Sequence, residues 1–222
     1  PVNDATDVAA ALRAIGFDVV LGTDVNREDM LRKLGEFRTK VQPGGLAVVY
    51  YSGHGIEVDG QNWLLPVRNG NIRTQADVPI YSVSAQDVLR KVEEAGARLN
   101  FFVLDACRDN PLPAGARSAS RGLGRIDTGS STLVAYATSP GKTAADGTGR
   151  NSPYTKVLKE ALKTPGLSVT DLVNQVGAQV QSSTGGAQVP WNSGTPIWPP
   201  ISLASAGAVM QRPDTSVAPT HG

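Results

Sequence analysis

Reactive side chains are scarce in this sequence. Its 222 residues contain one cysteine, Cys107, and two histidines, His54 and His221. A single cysteine excludes an internal disulfide and argues against a metal cluster. Charge of either sign is also short: 21 Lys and Arg stand against 20 Asp and Glu, a net charge of +1, and charged residues make up only 18% of the chain. No basic run breaks this balance, so the electrostatic footprint of a nucleic-acid binder is missing. No stretch approaches the ~20 apolar residues of a membrane span, so neither nucleic acid nor membrane is an expected partner. No internal repeat is visible. The opening Pro-Val-Asn-Asp-Ala-Thr-Asp has neither an initiator methionine nor a signal peptide. The compartment is therefore open, cytoplasmic or, if a leader was lost upstream, periplasmic. Oligomeric state is open as well. The length suits one α/β domain with a sizeable core.

Scarcity makes the placement of His54 and Cys107 informative. His54 closes the run Leu46-Ala-Val-Val-Tyr-Tyr-Ser-Gly-His, and Cys107 closes Leu99-Asn-Phe-Phe-Val-Leu-Asp-Ala-Cys. Both runs read as short buried strands, almost continuously apolar and rich in β-branched and aromatic residues. Each brings its reactive residue to the point where a strand gives way to a loop. In an open parallel sheet, ligands bind beyond the carboxyl ends of the strands. If the two strands are parallel neighbours, thiol and imidazole share that crevice. A thiol beside an imidazole is the minimum apparatus for nucleophilic catalysis. Read singly, Cys107 is a small buried hydrophobe and His54 a structural histidine; their matched placement favours chemistry. The flanking Gly53 and Gly55 permit close backbone approach and unusual backbone angles.

The rest of the chain alternates helices with strands. A helix runs from Asp4 to Gly16, with Val8, Leu12 and Ile15 on one face, and a short strand follows at Phe17–Leu21. Asn26 caps a second helix carrying Met30, Leu31, Leu34 and Phe37. After His54, residues 56–65 read as a hairpin turning at Asp59-Gly60, and residues 66–83 as a polar connection. Ser84 starts a third helix with Val88, Leu89 and Val92 on its apolar face. Residues 108–131 form a loop dense in Gly, Ser, Ala and Arg, and Thr132–Ala137 is a further strand. Ser152-Pro153 opens one helix and Ser168 another. Gln188–Trp191 lies in a loop or short extended segment. Residues 201–222, rich in Pro, Ser, Thr and Ala, read as a disordered tail or linker. This alternation implies a mostly parallel sheet covered by helices on both faces.

Tyr-Tyr-Ser-Gly-His-Gly, followed roughly fifty residues later by Asp-Ala-Cys-Arg-Asp-Asn-Pro, resembles the caspase-like cysteine peptidases. Within them it most resembles the bacterial metacaspase-like branch, the orthocaspases, from about Pro1 to Trp191. The resemblance implies an α/β caspase-like sandwich and a peptidase domain over residues 1–200. It implies Cys107 as nucleophile, His54 as the acid that protonates the leaving amine, and the backbone N–H groups of Gly55 and Cys107 as oxyanion donors. A Cys107–His54 separation of about 4–7 Å follows for a resting site. Caspase-like domains also begin with a central strand ahead of the first helix; that strand is absent here, so the domain is expected to be truncated at its amino end.

By the same resemblance, cleavage falls after Arg or Lys, with Asp105, Asp4 and Ser52 holding the basic side chain. Asp105 lies two residues before Cys107, so strand alternation puts both side chains on one side. A carboxylate there attracts a guanidinium or ammonium group. Asp4 also reads as a helix cap, and Asp105 as a buried acid bonded to backbone. Replacing Asp105 with Ala is expected to cost cleavage after Arg far more than stability. The aspartate clusters that bind calcium in many metacaspases are missing here, so no metal or cofactor is expected. Arg108 and Asp109 suit a substrate channel or a plain turn, and Trp191 a pocket wall or a structural position. Arg117, Arg121 and Arg125 follow the nucleophile in a small-residue loop, where self-processing is expected. The alternative to a peptidase acting on basic protein or peptide substrates is a catalytically silent caspase-like module for binding or assembly; the presence of both His54 and Cys107 favours the enzyme. A non-peptidase thiol enzyme such as an amidase is the weaker third reading.

Overall fold

The fold was described from a computed structural model, which covers residues 1–67, 70–107, 123–140, 142, 144, 147 and 149–204. Of the tail expected over residues 201–222, Ile201 and Leu203 instead pack on the core and Ser202 pairs with Ser168. Residues 205 onward, like the arginine loop from 108 to 122, lie outside the described residues.

In chain order the elements are α1 (Val2–Ala14), α2 (Arg27–Lys40), β1 (Leu46–Val58), β2 (Gln61–Leu64), α3 (Val78–Tyr81), β3 (Val83–Ser84), α4 (Ala85–Glu93), β4 (Leu99–Cys107), β5 (Thr132–Tyr136), α5 (Pro153–Ala161), α6 (Val169–Ser183) and β6 (Trp191–Gly194). Side-chain caps start four of the helices. Asn26 accepts from the Asp29 N–H, Ser84 from Asp87, Ser152 from Thr155 and Ser168 from Asp171. Each satisfies a backbone donor that the first turn leaves unpaired. Asp59 and Gly60 both adopt positive φ, 51° and 76°, which closes the β1–β2 hairpin with the twist the strands need.

The strands form one sheet in the order β3-β2-β1-β4-β5-β6. Its centre, β1-β4-β5, is parallel, and the flanking pairs are antiparallel. Side chains alternate between two cores, as the period of a strand requires. Leu99, Phe101 and Val103 of β4 pack with α1, α5 and α6. Phe102, Leu104 and Ala106 pack on the other face with α2 and α4. The caspase-like sandwich expected from the sequence is therefore present, with helices on both faces.

Phe17–Leu21 is not a strand. It lies beside β1 without a ladder partner, while Phe17 and Val19 pack against the first core. Apolar burial anchors the segment, but a cavity of about 240 Å³, lined by Phe17, Val19, Leu46 and Val48 among others, separates it from β1. Among the described residues, β1 pairs on that side only from Gly55 onward, with β2. Leu46, Val48 and Tyr50 of β1 line this cavity.

Candidate active site

The parallel ladder between β1 and β4 runs through nine pairs, from Leu46 opposite Leu99 to His54 opposite Cys107. Both residues sit at the carboxyl end of the ladder, with the two backbones about 4.8 Å apart as neighbouring strands are. The Cys107 side chain, and with it the expected separation from the imidazole, lies outside the described residues. His54 is exposed, and lines a cavity of about 390 Å³ together with Tyr50, Ser52, Gly53 and Leu65.

Both glycines beside His54 are explained by packing. Neither takes a positive φ, so unusual backbone angles are not the reason for them. A Cβ on Gly53 would lie 2.7 Å from the Tyr51 hydroxyl, because that ring folds across residue 53. A Cβ on Gly55 would lie 3.0 Å from Leu123 Cδ2 and 3.3 Å from Ala106 Cβ. Leu123 belongs to the segment that returns from the arginine loop, and it is pinned in place. The fully buried Asn62 side chain of β2 donates to the Gly124 carbonyl at 2.9 Å and accepts from its N–H at 2.7 Å. Two residues on, the Ile126 N–H donates to the buried Tyr136 hydroxyl at 2.9 Å.

The three residues expected to bind a basic side chain are brought together by α1, β1 and β4. Asp4, 5% exposed, lies inside α1 and does not cap it; its carboxylate accepts from the Ser152 N–H at 3.0 Å, from Asn151 Nδ2 at 3.1 Å and from the Ser52 hydroxyl at 3.4 Å. Asp105 is 2% exposed. Its Oδ2 receives the hydroxyls of Ser152 at 2.5 Å, Thr155 at 2.7 Å and Tyr50 at 3.1 Å. Asp105 is thus a buried acid bonded to side-chain hydroxyls. Ser152 links the two carboxylates, with its N–H on Asp4 and its hydroxyl on Asp105. Burial pushes the Asp105 carboxyl above the usual carboxylate range, and the hydroxyl donors partly oppose this. Burial, and then the Asp105 charge, push the Tyr50 phenol well above its ordinary value. Of the three, Ser52 reaches the cavity wall, while Asp4 and Asp105 stand behind it.

Sequence reasoning missed the hydroxyl set of Tyr50, Ser152 and Thr155. Ser152 reads locally as a helix cap and is one, since the Thr155 N–H bonds to its oxygen at 2.9 Å. Its second role needs β4 alongside, 47 residues away in sequence. Trp191 stacks obliquely on Tyr136, ring centroids 5.1 Å apart, and joins the second core. Arg108 and Asp109 lie outside the described residues.

A helix-covered sheet with a parallel centre, carrying histidine and cysteine opposite each other at the carboxyl end of the parallel ladder, has the architecture of a caspase-like fold of the cysteine-peptidase type. The chain belongs to the caspase-domain family: that family's model, described as "Caspase domain", matches residues 1–197. Over 108 residues, 49% of the chain, it is 30% identical to mucosa-associated lymphoid tissue lymphoma translocation protein 1 homolog of Mus musculus. The corresponding protein of Homo sapiens is also 30% identical over 108 residues. The matched stretch is 12% of the mouse protein and 13% of the human one, so the chain spans only a small part of these curated relatives.

Proposed function

We propose that this chain is a cysteine endopeptidase of the metacaspase-like, orthocaspase branch, cutting protein and peptide substrates after Arg or Lys. The observation that carries the reading is the register of β1 on β4, which sets His54 opposite Cys107 at the carboxyl end of their parallel ladder. In this reading the Cys107 thiolate attacks the scissile carbonyl carbon and forms a C–S bond. The negative charge that develops on the carbonyl oxygen is held by the N–H groups of Gly55 and Cys107. Collapse breaks the C–N bond as His54 gives its proton to the departing amine. Water then attacks the thioester and releases the thiol. Cys107 and His54 act as a dyad, which requires no third orienting residue.

Selectivity for a basic side chain rests on Asp105, Asp4 and Ser52. Two carboxylates and a hydroxyl joined in one network beside the His54 cavity favour a cation over an anion or an apolar group. Ser52 meets the side chain first, and the two acids supply the field behind it.

A fluorogenic panel with Arg, Lys, Asp or Ala at the cleaved position, run on wild type and Cys107→Ala, tests the reading. Turnover of the Arg and Lys peptides that is lost in Cys107→Ala is expected. Turnover that survives in Cys107→Ala, or a preference for Asp or Ala, refutes it. An inert, well-folded wild type would favour a binding module.

A further inference from the structure

We infer that Tyr51 is a positioning residue whose hydroxyl fixes the peptide plane between His54 and Gly55; the inference rests on the peptidase reading above. A trans peptide group carries its C=O and its N–H on opposite sides, so holding one aims the other. The carbonyl of that group belongs to His54 and receives two donors on its β2 side. The Leu65 N–H reaches it at 2.9 Å and the Tyr51 hydroxyl at 2.7 Å. The N–H of the same group belongs to Gly55, the proposed oxyanion donor. It therefore points away from β2, to the side where β4 ends at Cys107. The ladder agrees: His54 and Leu65 occupy a bonded position, and the next pair, Gly55 with Leu64, is a non-bonded one.

Leu65 alone would leave the plane free to rock, since the hairpin ladder stops there: β2 ends at Leu64. The Tyr51 hydroxyl also lies 2.9 Å from the Leu65 carbonyl, so its single hydrogen lies between the carbonyls of the last bonded residues of the two strands, with that of His54 the nearer. Its ring reaches them by lying across residue 53, and glycine is what leaves room for it, a Cβ there falling 2.9 Å from the ring carbon Cζ. Tyr51 thus accounts at once for the glycine before His54 and for the orientation of the amide after it. A donor preset toward the developing charge stabilises the transition state without reorganisation.

The test compares two probes of Cys107 in wild type and Tyr51→Phe. A peptide aldehyde ending in arginine forms a tetrahedral adduct whose oxyanion needs the Gly55 N–H. Iodoacetamide alkylates the thiolate without forming an oxyanion. Losing a donor outright lowers kcat by about 100- to 1000-fold, so loosening one is expected to lower kcat and aldehyde affinity by roughly 5- to 50-fold. KM and the alkylation rate should stay within about twofold. Gly53→Ala, which pushes the ring aside and keeps the hydroxyl, should give the same pattern, and serves if Tyr51→Phe does not fold. A folded variant with wild-type kcat and aldehyde affinity overturns the inference, as does an equal loss in both probes. A wild type that neither turns over an Arg peptide nor binds the aldehyde overturns the peptidase reading itself.

Discussion

Replacing Asp105 with Ala should unfold this domain more readily than a pocket mutation would. The carboxylate is 2% exposed and its Oδ2 is the common acceptor for Ser152, Thr155 and Tyr50. Tyr50 and Thr155 are also within 2.5 Å of one another, so one of their two hydroxyl hydrogens keeps an acceptor when Asp105 is removed. Two buried donors are then left without one, at about 1–3 kcal/mol each, for a loss of about 2–6 kcal/mol. Relief from burying a charge offsets part of that. Against a typical total of about 5–15 kcal/mol, the loss is large. The expectation that this substitution spares stability is thereby revised.

Asp105→Asn keeps an acceptor oxygen and removes the charge, so it should cost less than Ala and respond differently to pH. Because the folded pKa is raised, the contribution of Asp105 is fully present below the unfolded value of about 4 and is lost as pH rises through the folded value. Asn has no proton to lose. The stability of Asp105→Asn relative to wild type should therefore increase from pH 4 upward and level off above the raised pKa. Urea titrations at pH 4, 6 and 8 and constant ionic strength measure this, with unchanged m values confirming a common unfolded state. Asp105→Ala with a wild-type midpoint, or an Asn-to-wild-type difference flat across pH, would refute the reasoning. In cleavage assays both variants should lose preference for Arg, and an Asp105→Asn enzyme that keeps it would defeat the pocket assignment.

Self-cleavage is expected after Arg117 or Arg121, which lie outside the described residues, and not after Arg125. That residue sits between Leu123 and Ile126, each 1% exposed, with Gly124 held by Asn62. Intact-mass spectrometry of incubated protein should find nicks that vanish in Cys107→Ala, and Asn62→Ala should add one after Arg125; an uncut chain that still turns over an Arg peptide would defeat the idea. On α1, Asp7 binds Arg150 at 2.7 Å and Lys159 at 3.1 Å, and the Arg150 bond, helped by Lys159, holds its carboxyl below the usual range. A depressed folded pKa contributes stability above the unfolded value that is lost as pH falls, so the deficit of Asp7→Asn at pH 7 should shrink below about pH 4; a deficit equal at pH 7 and pH 3 would show that charge plays no part.

Much of this molecule is local and could be read without coordinates. Asn26, Ser84, Ser152 and Ser168 start their helices because each cap bonds to an N–H three residues ahead. Asp59-Gly60 closes its hairpin because both residues tolerate positive φ. His54 and Cys107 stood out because each closes an apolar run. Cys107 does end its strand, but β1 carries on past His54 to Val58 to pair with β2, so His54 lies within a strand and not where one gives way to a loop. Phe17–Leu21 has a strand-like composition, but a strand exists only if another edge lies within hydrogen-bonding distance, and here a cavity intervenes. Asp105 was legible as a buried acid, yet its hydroxyl partners come from positions 50, 152 and 155, which only the packing of α5 on β1 and β4 brings together. The Asn62–Gly124 clamp spans 62 residues and carries no local pattern. Caps and turns follow from interactions within a few residues. The pairing partner of an edge and the donors around a buried charge follow from which elements the core forces into contact, and only the tertiary structure decides that.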